Sequence, residues 1–443
     1  MDALSEIEAL VAHEGRWAGT EGEHRAAEHL AARLRSLGRD TEIEPALVRP
    51  DYPLTYVLHI LLALAGGALS ARRPKLGAAA LSAAVVSAFG DSYGRFHLLR
   101  RLTKRAVTHN VLSREQDGKP ETLVLVAHYD AAKTGWLFDP EALKRRVQLG
   151  RRIGLDIGLF EPFVWSLLAL LALALLRAAG VKSRALSVTR IPPMLTLAAH
   201  VPLLLDIRGG EIVPGAADNA SGVATVLRLA ERHGRRLRHF DLWVLFTGAE
   251  EGLMLGMREW MRDHKHELDP QRTIFLNLDE AGYGTVRYAT GEGRGVADPG
   301  APRLIELCDQ VAEEDRAGRF GAQPMPSLSL ADASVATQHG YRAIRIACLP
   351  KPTFAPEYHR PTDTTDRLDP RAAERAFGFC AALIEKLDGV MDGRATARRV
   401  PKAAAPSRLR GKLVTWAAVM LHLVVAIVRK RPGQSTFEVL PRR

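Results

Sequence analysis

Gly215-Ala216-Ala217-Asp218-Asn219-Ala220-Ser221-Gly222 sets a single acidic side chain in a run of small residues. It stands directly ahead of a stretch, Gly222 to about His233, whose apolar residues recur with a helical period. Alanines and glycines on both sides let the backbone approach a neighbour closely. An Asp just before a helix is most often a cap or a turn former. What distinguishes Asp218 is the set of acids and histidines elsewhere in the chain that can be lined up around it.

Working outward, Asn110–Ser113 and Thr122–Ala127 read as strands upstream of this turn. Downstream, Asp241–Phe246, Ile274–Leu278, Thr285–Ala289 and Ala343–Ala347 read likewise. Helical stretches at 222–233, 252–263, 302–316 and 371–387 separate them. This alternation predicts an α/β fold, a mostly parallel mixed sheet with helices on both faces. At the N-terminus, 3–12 and 20–36 read as helices. Thr20 and Glu23 form a possible capping box for the second, Gly38 stops it, and Thr41–Pro45 is a short strand.

Ligand sites of open α/β sheets lie beyond the C-terminal ends of the strands, and four chemically loaded segments fall there. Thr122–Ala127 runs into His128-Tyr129-Asp130, whose His and Asp, two apart, leave the strand on the same side. Asp241–Phe246 runs into Thr247-Gly248-Ala249-Glu250-Glu251, where adjacent acids point different ways. Ile274–Leu278 ends in Asp279, a charge that costs desolvation unless paired or metal-bound. His359 centres a polar loop, Glu357 to Asp366. Each segment alone has a plain structural explanation. Jointly, His128, Asp218, Glu251, Asp279 and His359 supply two imidazoles and three carboxylates. That set suits two divalent cations, zinc foremost, sharing one bridging carboxylate, with Glu250 left free as a base.

At these residues the chain resembles the di-zinc exopeptidases that include bacterial leucyl aminopeptidases and glutamate carboxypeptidase II. The segments that carry the resemblance, in the family's order, are Ala127-His128-Tyr129-Asp130, Pro214 to Gly222, Gly248-Ala249-Glu250-Glu251-Gly252, Asn277-Leu278-Asp279 and Tyr358-His359-Arg360-Pro361-Thr362-Asp363. Gly19 to Ala27 is similar to the family's leading helix. The resemblance covers roughly 10–45, 107–132 and 210–388. It implies one zinc on His128 and Asp279, a second on Glu251 and His359, and Asp218 bridging them. It further implies that Asp130 orients His128, that Glu250 is the general base, and that the Asp218–Asn219 peptide is cis. The implied activity is an aminopeptidase that hydrolyses N-terminal peptide bonds with a water activated by the two zinc ions. A single-zinc glutaminyl cyclase-type acyltransferase shares the His-Tyr-Asp and Glu-Glu pieces. A non-catalytic membrane scaffold on a peptidase fold is the remaining rival, although scaffolds usually lose ligands and all five are present.

The segments outside the resemblance are apolar. They are Leu54–Ala71, Leu76–Phe89, Phe163–Leu176, Ile191–Leu205 and Leu413–Val428, all flanked by Arg or Lys. Pro192, Pro193 and Pro202 predict a poor straight helix for the fourth. The 443 residues are 47% hydrophobic and carry a formal charge of +11. That excess is concentrated at Arg95 to Arg105, Lys144 to Arg152 and Arg398 to Lys412, each beside an apolar stretch. Placement there favours lipid headgroups over nucleic acid, for which no motif is present. The expected organisation is a peptidase domain at 1–52, 93–136 and 209–390. It is interrupted by an apolar hairpin at 53–92 and an insertion at 137–208, and followed by a basic linker at 391–412 and a C-terminal apolar helix with a basic tail at 413–443. The acidic N-terminus has no cleavable signal pattern, and Cys308, Cys348 and Cys380 have no pairing pattern. These features predict a membrane protein with its catalytic domain in the cytoplasm and a peptide or peptide-like substrate.

Overall fold

The computed structural model describes residues 2–394 except 154–158, 294–297, 300, 328 and 351–354. The apolar stretch Leu413–Val428 and nearly all of the basic linker lie outside the described residues. The chain forms two compact units. Among the described residues, the first comprises 2–55, 100–153 and 203–394, and the second 56–99 and 159–202.

In the first unit, β1 (Glu42–Val48), β2 (Ala106–Ser113), β3 (Glu121–His128), β4 (Phe240–Thr247), β5 (Thr273–Leu278), β6 (Thr285–Glu292), β7 (Asp298–Pro299), β8 (Gln323–Ser327) and β9 (Arg342–Leu349) make one mixed sheet. Its order is β1-β2-β4-β3-β5-β9-β6-β7, with β8 on β6. The centre, β4-β3-β5-β9, is parallel. Both flanks turn antiparallel, β1 and β2 on one side and β6 against β9 on the other. The central strands are almost continuously buried because their Val, Leu, Ile and Phe side chains are covered on both faces.

Helices α1 (Ala3–Val11) and α2 (Glu21–Ser36) precede the sheet; α3 (Tyr52–Leu69), α4 (Pro74–Ser92), α5 (Pro140–Ile153), α6 (Glu161–Ala178), α7 (Arg184–Thr189) and α8 (Ile191–Gly209) follow in chain order. They are succeeded by α9 (Ser221–His233), α10 (Leu255–His264), α11 (Pro302–Glu314), α12 (Asp332–Gln338) and α13 (Pro370–Arg394). The start of α2 departs slightly from a capping box. Thr20 Oγ1 accepts the Glu23 N–H at 3.2 Å, but the Glu23 carboxylate reaches back to the Gly19 N–H, one residue early.

The second unit holds most of α3, α4, α6, α7 and α8. α3 and α4 run antiparallel, tied by Tyr56 Oη to Ser92 Oγ at 2.8 Å and His59 Nε2 to Ser87 Oγ at 2.9 Å. Gly66 lies where an added Cβ would come within 2.9 Å of Leu81, so small residues set how closely these helices pack. At the far end, Arg177 donates to the carbonyls of Ser70 and Ala71, and Arg190 to that of Gly67. Three described helical segments are long and apolar enough to cross a membrane: Tyr52–Leu69, Glu161–Ala178 and Arg184–Gly209. α8 is a continuous helix despite its three prolines. Pro192 and Pro193 fall in its first turn, where N–H groups have no intrahelical acceptor, and the helix continues through Pro202.

Candidate metal centre

Three adjacent parallel strands deliver the site. β3 ends at His128, β4 leads through Gly248 and Ala249 to Glu250 and Glu251, and β5 runs directly into Asp279. Asp218 comes from the turn before α9, and His359 from the loop after β9. All seven residues singled out from the sequence meet at this rim. His128 Nε2 lies 3.1 Å from Asp218 Oδ1 and 3.7 Å from Asp279 Oδ1. His359 Nε2 lies 3.3 Å from both Asp218 Oδ2 and Glu251 Oε2. Two donor triads thus share Asp218: His128, Asp218 and Asp279, and Asp218, Glu251 and His359. In each, the ligand atoms lie within 4.8 Å of one another. All five of these side chains are buried.

Asp218 is not a helix cap. Its backbone is non-helical, the cap position of α9 is Ala220, and the peptide from Asp218 to Asn219 is cis. Asn219 does the capping, its Oδ1 accepting the Gly222 N–H at 3.1 Å. The same oxygen accepts the Glu280 N–H, while Asn219 Nδ2 donates to the Leu278 carbonyl at 2.9 Å. The Asp218 turn and the end of β5 are thereby fixed to each other. Gly222 permits this approach, since a Cβ there would stand 2.6 Å from the Leu278 oxygen. Glu250 and Glu251 are likewise no helical first turn, because α10 begins only at Leu255.

Asp130 lies beside His128, with Oδ1 3.5 Å from Nδ1. Its carboxylate also accepts the backbone N–H groups of Glu250 and Glu251 at 3.0 and 3.1 Å, tying the β3 end to the β4 end. Several supporting residues were not foreseen. Arg16, fully buried, donates to the carbonyls of Tyr129, Pro214 and Gly215, bracing two site loops together. Asp363, quoted from the sequence but given no role, accepts the N–H groups of Ala217 and Asp218. Arg345 stands 3.2 Å from Asp279 Oδ2 and 2.5 Å from Glu280 Oε2. Asp332 accepts the Thr247 hydroxyl at 2.5 Å. Arg345 had a legible signal, a charge inside the apolar strand Ala343 to Ala347. Arg16 had none.

Electrostatically the cage calls for cations. Burial opposes protonation of His128, yet the carboxylates of Asp130, Asp218 and Asp279 outweigh it and hold its pKa well above the imidazole range. For His359, burial is again overcome, here by Glu251 and Asp218, and the pKa rises to about 10. Burial would raise the Asp218 pKa, but the two imidazoles hold it below the carboxylate range. Burial pushes Glu250 well up, helped by Glu251, Asp332 and Asp279 against His128. Glu251 Oε1, buried, has no hydrogen-bond partner among the described residues. Two imidazoles, excess buried carboxylate and an orphaned carboxylate oxygen fit a divalent metal, zinc by donor type.

The comparisons point the same way. Residues 189–384 match Peptidase family M28. A Zn-dependent exopeptidase from Parabacteroides distasonis superposes with a TM-score of 0.51 at 13% identity, covering 86% of this chain and 96% of that one. A glutaminyl cyclase from Bacteroides thetaiotaomicron gives 0.51 at 12%, covering 86% and 96%. At these identities the likeness is one of fold. A vacuolar membrane protease from Schizosaccharomyces japonicus is 40% identical over 70 residues, a segment that spans 16% of this chain and 8% of that protein. The sheet has a zinc-exopeptidase-like architecture, its rim carries a donor cluster suited to divalent metal, and residues 189–384 of the chain are similar to Peptidase family M28.

Proposed function

We propose that the chain is a membrane-anchored di-zinc aminopeptidase. The observation that carries this reading is the pair of donor triads joined through Asp218. In it, His128 and Asp279 would hold one zinc, Glu251 and His359 the other, and Asp218 both. Bound there, the ions would supply Lewis acidity toward a peptide carbonyl and a more acidic water. Glu250, whose proton affinity burial raises, would take a proton from that water and pass it to the leaving amine. Asp130 and Asp363 hold the backbone of the ligand-bearing loops, so ligand positions do not depend on the substrate. An aminoacyl-amide panel tests the activity. Turnover by the zinc-loaded protein, lost in Glu250→Gln, supports it; no hydrolysis of any aminoacyl or peptide substrate favours a scaffold.

The glutaminyl cyclase-type acyltransferase is kept as a second reading because either triad alone is a complete three-ligand site. One zinc per chain, with cyclisation of N-terminal glutamine, would select it. The three apolar helical segments support insertion in a bilayer. Cys308, Cys348 and Cys380 are free and buried, which suits a reducing compartment, and the reading therefore places the catalytic unit in the cytoplasm. Cleavage of the 177–190 turn by protease outside sealed cells supports this orientation, and protection opposes it.

A further inference from the structure

The two imidazoles of the centre are held in different ways. A metal-bound His usually gives its second ring nitrogen to a carboxylate, a carbonyl or water, which fixes the tilt of the ring. His128 has such partners, its Nδ1 lying 3.2 Å from the Asp130 carbonyl oxygen. His359 Nδ1 is buried and has no partner among the described residues. Its backbone, at φ 54°, also sits in the left-handed region that a side-chain-bearing residue seldom adopts. Besides the carboxylates at Nε2, two aromatic rings pack on its imidazole. Tyr358 stacks on it with centroids 3.9 Å apart and planes 19° from parallel. Phe138 meets it at 4.5 Å and 63°, and packs against Tyr358 at 5.8 Å.

Phe138 is itself only 2% exposed, at the end of a strap that continues from β3. Lys133 bridges to Ile212 in the segment leading to Asp218, and the Thr134 N–H donates to the Glu211 carbonyl at 3.0 Å. The Trp136 N–H donates to Asp206 at 2.7 Å, and the Phe138 N–H closes the turn on Gly135. Gly135 is required here, because a Cβ would come within 2.6 Å of Ile207. The strap fixes Phe138, and Phe138 borders the ring.

We propose that Phe138 is a positioning residue for His359, clamping the imidazole against Tyr358 where Nδ1 has no hydrogen-bond partner among the described residues. The proposal rests on reading His359 as an ion ligand. It makes the Asp218, Glu251 and His359 half of the centre dependent on the strap, and leaves the His128 half independent of it. Competitive zinc titration of the full-length protein tests this, with His128→Ala and His359→Ala assigning each binding event to its half. Phe138→Ala should weaken the His359-dependent event roughly 2- to 12-fold, the range of a well-placed aromatic pair. The His128-dependent event should not move, Phe138→Tyr should restore affinity, and Trp136→Ala should change neither event. Unchanged affinity at the His359-dependent event in folded Phe138→Ala, or equal weakening of both events, would overturn the proposal. If the wild type shows a single event, the two-ion reading fails by itself. The proposal is then judged on that event alone, and stands only if His359→Ala abolishes it and Phe138→Ala weakens it.

Discussion

The two halves of the candidate centre are built on different principles. On the His128 side each ligand has a polar partner behind it, Asp130 for the imidazole and Arg345 for Asp279. On the His359 side the imidazole is bordered by rings, and one oxygen of Glu251 has no partner among the described residues. A ligand backed by hydrogen bonds and ion pairs is oriented by directional contacts, whereas an imidazole whose second nitrogen lacks a partner among the described residues is oriented by the shape of its neighbours. The contrast follows from the fold. His128 and Asp279 end neighbouring central strands, while His359 stands on a loop.

Substitutions can sharpen this contrast or break it. The largest effect belongs to neither half. Glu250→Gln should lower kcat by ~10²–10⁴ while zinc content stays that of the wild type. Loss of zinc in that variant would make Glu250 a ligand and blur the division. Next, Arg345→Met removes the cation from a buried cluster and leaves the Glu280 carboxylate unpaired, for which about 3–5 kcal/mol of stability is expected to go. Chemical denaturation measures it, and the double change with Glu280→Gln should recover much of the loss. A stability change below about 1 kcal/mol would mean that Arg345 does not brace this half. Asp130→Ala removes the carboxylate beside His128 but keeps the backbone carbonyl, so it should weaken zinc at the His128 half by roughly 10-fold, the low end for such partners. If calorimetry shows both halves weakened alike, Asp130 serves the 250–251 backbone more than the His128 ring.

The smallest effect lies away from both halves. His264, held by Glu44 and then Glu267 against the opposing effect of burial, has its pKa raised above the ordinary imidazole value. The folded state binds this proton more tightly than the unfolded chain. Its contribution is therefore complete below pH ~6.5 and fades as pH rises through the higher folded value. His264→Gln should lower the melting temperature slightly in mild acid and not at all in alkali. The opposite trend would contradict the assigned partners.

Much of this was legible in the sequence because strands buried on both faces read as apolar runs. The runs Thr122–Ala127, Asp241–Phe246 and Ile274–Leu278 correspond to β3, β4 and β5, and His128, Glu250 with Glu251, and Asp279, each within five residues of a run's end, mark the rim. The short pieces were missed. β8 and α12 are too brief to show a period, and α5 is strongly charged. The bracing residues were missed for another reason. Arg16 and Phe138 act through partners some 200 residues away, Pro214 and His359, and local pattern records nothing of such contacts. In the second unit, apolar length identified the helices. The prolines of α8 did not stop it from being a continuous helix, since two of the three fall in the one turn that tolerates them.

Diffraction from zinc-soaked crystals at wavelengths either side of the zinc absorption edge tests the central claim most directly. Two anomalous peaks per chain are expected. One should lie about 2.0–2.2 Å from His128 and Asp279, the other at the same distance from Glu251 and His359, with Asp218 reaching both. A single peak, or peaks away from these five side chains, would contradict it.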